Sequence, residues 1–178
     1  MCRYQKETMK RFFAAAVLFL GLSGMAYAQP QAASLKADAA LTSQVNAFVD
    51  EWHDDAANAR LAYFDKMARD GVYIGTDRTE LWHRDEFKAW AKKAFERKSA
   101  WSFKATRRNV YASSDKSLIW FDELLDTPNM GPCMASGVIR KTAKGFEIVH
   151  YQLSMAVPNE VADQVTKLIG EHSKAAKK

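Results

Sequence analysis

The chain is poor in cysteine. Only Cys2 and Cys133 occur in 178 residues, and Cys2 lies in an N-terminal segment expected to be removed. An internal disulfide is therefore excluded, and stability must come from packing. No apolar run reaches the roughly 20 residues that a bilayer span requires; residues 12–22 fall short, and a polar stretch follows the small residues after them. Nucleotide and metal fingerprints are missing too: there is no G-x-G-x-x-G, no phosphate-binding loop, no His-Glu-x-x-His and no cluster of Cys and His. No obligate cofactor and no metal are expected. A dominant charge is also lacking. Of 26 basic and 21 acidic residues, four basic and one acidic fall in residues 1–28, which leaves 22 against 20. That balance gives no electrostatic case for nucleic acid, and Arg107-Arg108 and the basic tail read as a solvated face and a frayed end.

What is present begins with an address label. Arg3, Lys6, Lys10 and Arg11 precede the apolar run, and Ala26-Tyr27-Ala28 closes it with small residues. This is the order of a cleavable secretory signal. The expected mature N-terminus is Gln29, in a periplasmic or secreted protein with no membrane attachment after cleavage; translation could start at Met1 or at Met9. The expected layout is a signal peptide over 1–28, a flexible spacer over 29–40, one domain over 41–173 and a basic tail over 174–178.

Within the domain, Leu41, Val45, Phe48, Val49 and Trp52 recur at helical spacing. A second short helix carries Leu61, Phe64 and Met67 and stops at Gly71. Residues 72–76 form a short strand, and Phe87, Trp90, Ala91, Ala94 and Phe95 mark a third helix. Strands are then expected over 102–112, 118–126, 134–142 and 146–157, joined by turn-rich separators into an antiparallel meander. Pro158-Asn159 opens a last helix with Val161, Val165, Leu168 and Ile169 on one side. Helices segregated to one face of a single curved sheet make an α+β fold, a cone with room for a pocket on its concave face.

Gly75-Thr76-Asp77 followed by Trp82, then residues 119–124 (IWFDEL), 136–140 (SGVIR) and 148–154 (IVHYQLS) with Val157-Pro158-Asn159, resemble the SnoaL-like branch of the nuclear transport factor two-like superfamily. The resemblance spans roughly residues 41–158. It implies the cone, a pocket on the concave face and a homodimer formed through the sheet. It does not single out a chemistry, because the same fold carries isomerases, cyclases, dehydratases and pocketed proteins without demonstrated activity.

Candidate site residues follow from strand alternation. Ile148, His150, Gln152 and Ser154 point one way, and Val149, Tyr151 and Leu153 the other. His150 could act as a general base near neutral pH or be a histidine satisfied by a neighbour. Asp122 shares a face with Trp120 and Leu124, and Glu123 with Phe121 and Leu125; periodicity alone does not choose between the acids, and Asp122 is preferred for the pocket because Trp120 would form a wall beneath it. The expected catalytic candidates are His150 and Asp122, with Tyr73, Asp77, Trp82, Trp120, Ser136 and Gln152 lining the pocket. Arg140, on the Ser136 face, could clamp an acidic ligand or be solvated. His53-Asp54-Asp55 reads as a solvated helix break, since adjacent helical residues diverge by about 100°; His83 and His172 read as surface residues. Cys133 falls at a loop-to-strand junction without a histidine nearby. The leading functional expectation is an exported protein that binds a small, largely apolar organic ligand. Two alternatives stay open: an isomerase, dehydratase or cyclase using His150 or Asp122 as base, and a non-catalytic dimeric interaction module.

Overall fold

A computed structural model describes residues 35–176. The expected signal peptide, the first part of the spacer and the last two residues of the tail lie outside the described residues. Among the described residues no helix is long and apolar enough to cross a membrane.

The first helix, α1 (Ala39–Ala57), starts where Asp38 accepts a hydrogen bond from the Leu41 amide at 2.8 Å, a side-chain cap on an otherwise unpaired amide. The expected flexible spacer therefore ends early. Residues 35–37 already run beside the third strand, where Ala37 donates to Val110 and Leu35 accepts from Ala112 at 2.9 Å each. One side of α1 buries Leu41, Val45, Val49, Trp52, His53 and Ala56. A single turn, α2 (Ala62–Asp65), follows, and the chain enters β1 (Met67–Ile74). Met67 and Gly71 thus belong to a strand and not to a helix and its stop. Gly71 is needed for close approach: a Cβ there would lie 2.9 Å from both the Ala68 and Ile148 carbonyl oxygens.

β2 (Leu81–His83) and α3 (Arg84–Phe95) precede the meander of β3 (Lys104–Ala112), β4 (Leu118–Thr127), β5 (Gly131–Thr142) and β6 (Gly145–Met155), and α4 (Ala162–Ala175) ends the described chain. α4 runs through Lys174, so the expected tail begins inside a helix. The six strands make one sheet in the order β2-β1-β6-β5-β4-β3; β1 lies parallel to β6 and every other pair is antiparallel.

α1 and α3 cover one face of this sheet, whereas Val165 and Ile169 of α4 share a groove with Ile74, Gln152 and Ser154 of the other face. Val110, Ile119, Phe121, Leu125, Ile139, Ile148, Tyr151 and Leu153 point toward α1 and α3 and are buried. Gly137 makes room in that layer, because a Cβ would stand 2.5 Å from the Phe121 ring. Two bulges set which residues point inward. Ile139 pairs with Ile148 but Val138 with His150, so Val149 is an extra residue that turns Ile148 to the inner face while His150 stays outside. Thr106 plays the same part in β3, between Ala105 opposite Leu125 and Arg107 opposite Leu124.

Candidate functional site

The inner face holds an aromatic cavity of about 240 Å³ between β1, β2, α3 and the approach to β3. Its walls are Tyr73, Trp82, Phe87, Trp90, Trp101 and Phe103, with Met130 and Leu153, while Thr76, Glu80 and Asn129 supply polar groups. Local structure explains the wall. Tyr73 and Trp82 are paired across the β1–β2 ladder, and α3 brings Phe87 against both: its ring stacks on Tyr73 at 4.0 Å and on Trp82 at 5.4 Å. Trp90, one turn further along α3, meets Trp82 at 4.5 Å. Gly75 leaves space for the Glu80 side chain, whose carboxylate a Cβ at that position would strike. Behind the wall, the Tyr63 hydroxyl and the Trp101 indole nitrogen are buried beside the Tyr73 hydroxyl without a well-aligned hydrogen bond. Burial pushes the phenols of Tyr63 and Tyr73 up, so both stay protonated donors across the physiological range.

Beneath the α1 stripe sits a second group of polar side chains. The Glu123 carboxylate is enclosed: one oxygen accepts from the Tyr151 hydroxyl and meets His53 Nε2, each at 2.9 Å, and the other meets Arg108 Nε at 2.9 Å and Nη2 at 2.7 Å. Arg108, only 4% exposed, also reaches Asp50 at 2.9 Å. Burial works against the ionised carboxyl, but hydrogen bonding by His53 and the charge of Arg108 outweigh it and hold Glu123 below the ordinary carboxylate value. A neighbouring buried acid, Asp55, is paired with Arg60 and Lys66. No group of three or more His, Cys, Asp or Glu among the described residues is arranged to hold a metal ion.

The structure brings together only part of the expected site. Tyr73 and Trp82 face the aromatic cavity. Asp122, Ser136 and Gln152 do come into line, as cross-strand neighbours, with Trp120 and His150 one step along, but on the outer face, away from α1 and α3; Gln152 there shares a groove with Asp77 and with Val165 and Ile169 of α4. There Asp122 accepts from the Asn109 side chain at 2.7 Å and Trp120 stacks on Tyr111 at 5.9 Å. The preference for Asp122 over Glu123 is thus reversed: the pleat turns Glu123 inward. His150 and Asp122 cannot reach a ligand in the aromatic cavity, since the sheet lies between. Asp77 caps its own turn, accepting from the amide and hydroxyl of Thr79 at 2.8 and 2.6 Å, and these bonds hold its carboxyl below the ordinary range. Arg140 pairs with Asp70 and Glu147 at 2.8 Å each. Cys133 lies within β5 and is buried. His83 and His172 are exposed, as expected.

His53 is the residue that the sequence reading missed. It is 4% exposed, not solvated, and a signal was available: it stands four residues after Val49 and three before Ala56, on the same helical stripe.

A curved α+β sheet with α1 and α3 on one face and an aromatic cavity between them defines a protein of the nuclear transport factor two-like class. The sequence profile of the SnoaL-like domain matches residues 45–158, and the chain belongs to that family. Solved structures of the same fold include an NTF2-like protein of unknown function from Pseudomonas putida, 14% identical with a TM-score of 0.58 over 70% of this chain and 92% of that one. A candidate dehydratase of the NTF2-like family from Streptomyces avermitilis is 12% identical with a TM-score of 0.58, over 67% of this chain and 98% of the other. A candidate ketosteroid isomerase from Parabacteroides distasonis is 13% identical with a TM-score of 0.53, over 70% and 97%. At these identities the likeness shows the fold alone. No curated protein matches the chain.

Proposed function

We propose that the mature chain is an exported protein that binds a small, largely apolar organic ligand in the aromatic cavity. The observation that carries this reading is the wall itself: six aromatic rings surround about 240 Å³, and polar groups enter only through Thr76, Glu80 and Asn129. Such a site takes a planar ring by stacking and apolar burial, each Å² removed from water contributing roughly 25 cal/mol. Naphthol is a suitable probe, because Trp82, Trp90 and Trp101 report its entry by their fluorescence. Trp82→Ala should weaken naphthol binding at least about tenfold, or roughly 1.4 kcal/mol, while His150→Ala leaves it unchanged. Equal weakening by both variants, or no binding by the parent protein, would remove the cavity as the site. Mass spectrometry of small molecules retained by protein from its native compartment would then name the ligand.

Two further features belong to the same proposal. Export through residues 1–28 predicts an intact mass that begins at Gln29. A homodimer would cover the outer sheet face, where Tyr111, Trp120, Leu124 and Val138 are half-buried and Met134 is exposed. Sedimentation of a monomer at micromolar concentration would count against that assembly.

A further inference from the structure

We infer that the crevice between α1 and the entry to β3 is a second binding site, one that takes a small neutral polyol of about monosaccharide size. It shares the Phe103 ring with the aromatic cavity but does not depend on that cavity's function. The crevice encloses about 370 Å³ and is lined by Asp50, His53 and Asp54 of α1 and by Ser102, Phe103 and Lys104. With Ala57, these α1 residues stand at i, i+3, i+4 and i+7 and so share one side of the helix.

His53 carries the inference. Its Nε2 is committed to Glu123 at 2.9 Å, whereas Nδ1 is fully buried without a hydrogen-bond partner. An unpaired buried nitrogen is costly, and native proteins seldom keep one without a use. The half-buried Phe103 ring stands 5.5 Å from the imidazole, edge-on to it, and lines the crevice beside it. Phe103 belongs to a stretch without regular structure between α3 and β3, so its ring can yield to an incoming group, and the same ring offers a flat apolar face.

The lining selects the ligand. Asp50 and Asp54 are already paired with Arg108 and Arg60, so they retain spare acceptor capacity but little net pull on a cation, and they disfavour an anion. Lys104 and Ser102 add donors. A lining that combines donors, acceptors and one aromatic ring matches a molecule whose every hydroxyl both donates and accepts. Such a hydroxyl also satisfies His53 Nδ1 whether or not that nitrogen carries a proton.

The test is a glucose titration of the nitrogen-15-labelled mature protein, followed by nuclear magnetic resonance of histidine side-chain nitrogens and backbone amides, with methylammonium as a cationic comparator. Saturable shifts at His53 Nδ1 and at amides 102–105, with a midpoint on the order of millimolar, are expected for glucose and not for methylammonium. Ala57→Leu fills the crevice from a partly exposed helical position that it also lines, and should weaken glucose at least about tenfold. His53→Phe should abolish the response, and if that variant does not fold, Ala57→Leu decides alone. No saturable shift up to about 0.1 M glucose, a response to methylammonium instead, or undiminished binding by Ala57→Leu would overturn the inference.

Discussion

Replacing Glu123 by Gln tests whether the buried polar group is a structural keystone. The carboxylate is bracketed by four contacts from His53, Tyr151 and Arg108, all between 2.7 and 2.9 Å. Gln keeps the shape but offers one acceptor oxygen, and its amide nitrogen must then face one of these donors. The charge of Arg108, itself almost wholly buried, keeps only the exposed Asp50 as an ionic partner. Breaking a buried pair from one side costs about 3–5 kcal/mol, a large share of the 5–15 kcal/mol typical of a domain. For a chain of this size that corresponds to a fall in Tm of roughly 6–20 °C. Urea unfolding followed by tryptophan fluorescence measures it directly, with Asp122→Asn as the control. Asp122 lies on the half-exposed outer face with the Asn109 amide and the Tyr111 hydroxyl beside it, where water replaces a lost partner, so its variant should cost no more than about 1 kcal/mol. Acid adds a second readout. Glu123 is held below its ordinary value of 4.5 in the folded state, so its contribution is whole above that value and is lost as the pH falls through the lower folded one. The parent protein should therefore lose stability on acidification below about pH 4.5, and Glu123→Gln should lose less. Equal stability of the Glu123 and Asp122 variants at neutral pH would refute the reasoning.

Gly137→Ala should destabilise by about 1–3 kcal/mol, because the new Cβ would stand 2.5 Å from the Phe121 ring in a packed layer; a thermal melt unchanged from the parent would show that the ring moves freely. Asp38→Ala removes the cap at the Leu41 amide and should cost about 1 kcal/mol, with Asp38→Asn restoring most of it in the same chemical-denaturation assay. Cys133 is buried in β5, so a thiol reagent should label the folded chain slowly and the urea-unfolded chain at once; rapid labelling of the native protein would contradict its placement.

The amphipathic stripes of α1 and α3 and the four-strand meander are legible in the sequence because each repeats a period over many residues. Two features hide from that reading. A bulge adds one residue and reverses the facing of everything beyond it, so the alternation that groups Ile148 with His150 fails at Val149. The choice between Asp122 and Glu123 depends on partners from α1, β3 and β6, distant in sequence, that make an interior carboxylate tolerable. Tyr73 and Trp82 could be placed at a pocket only through the family resemblance, which sets the turn between them near the pocket mouth. His53 was concealed by its neighbours: beside Asp54 and Asp55 it looks like part of a solvated cluster, although its helical position already sets it among Val49, Trp52 and Ala56.

The parallel pairing of β1 with β6 has a consequence for the order in which the chain can assemble. Val72, near the start of the domain, lies beside His150, in the last strand. A polypeptide emerging from the ribosome can form α1 and the β1–β2 hairpin early, yet these have no sheet to join until β6 has been synthesised. Loop closure on this scale is slow, and chains dominated by such distant pairings fold late. Until β6 is in place, the N-terminal elements lack the sheet against which Trp52, Tyr63 and Phe64 are buried in the folded chain.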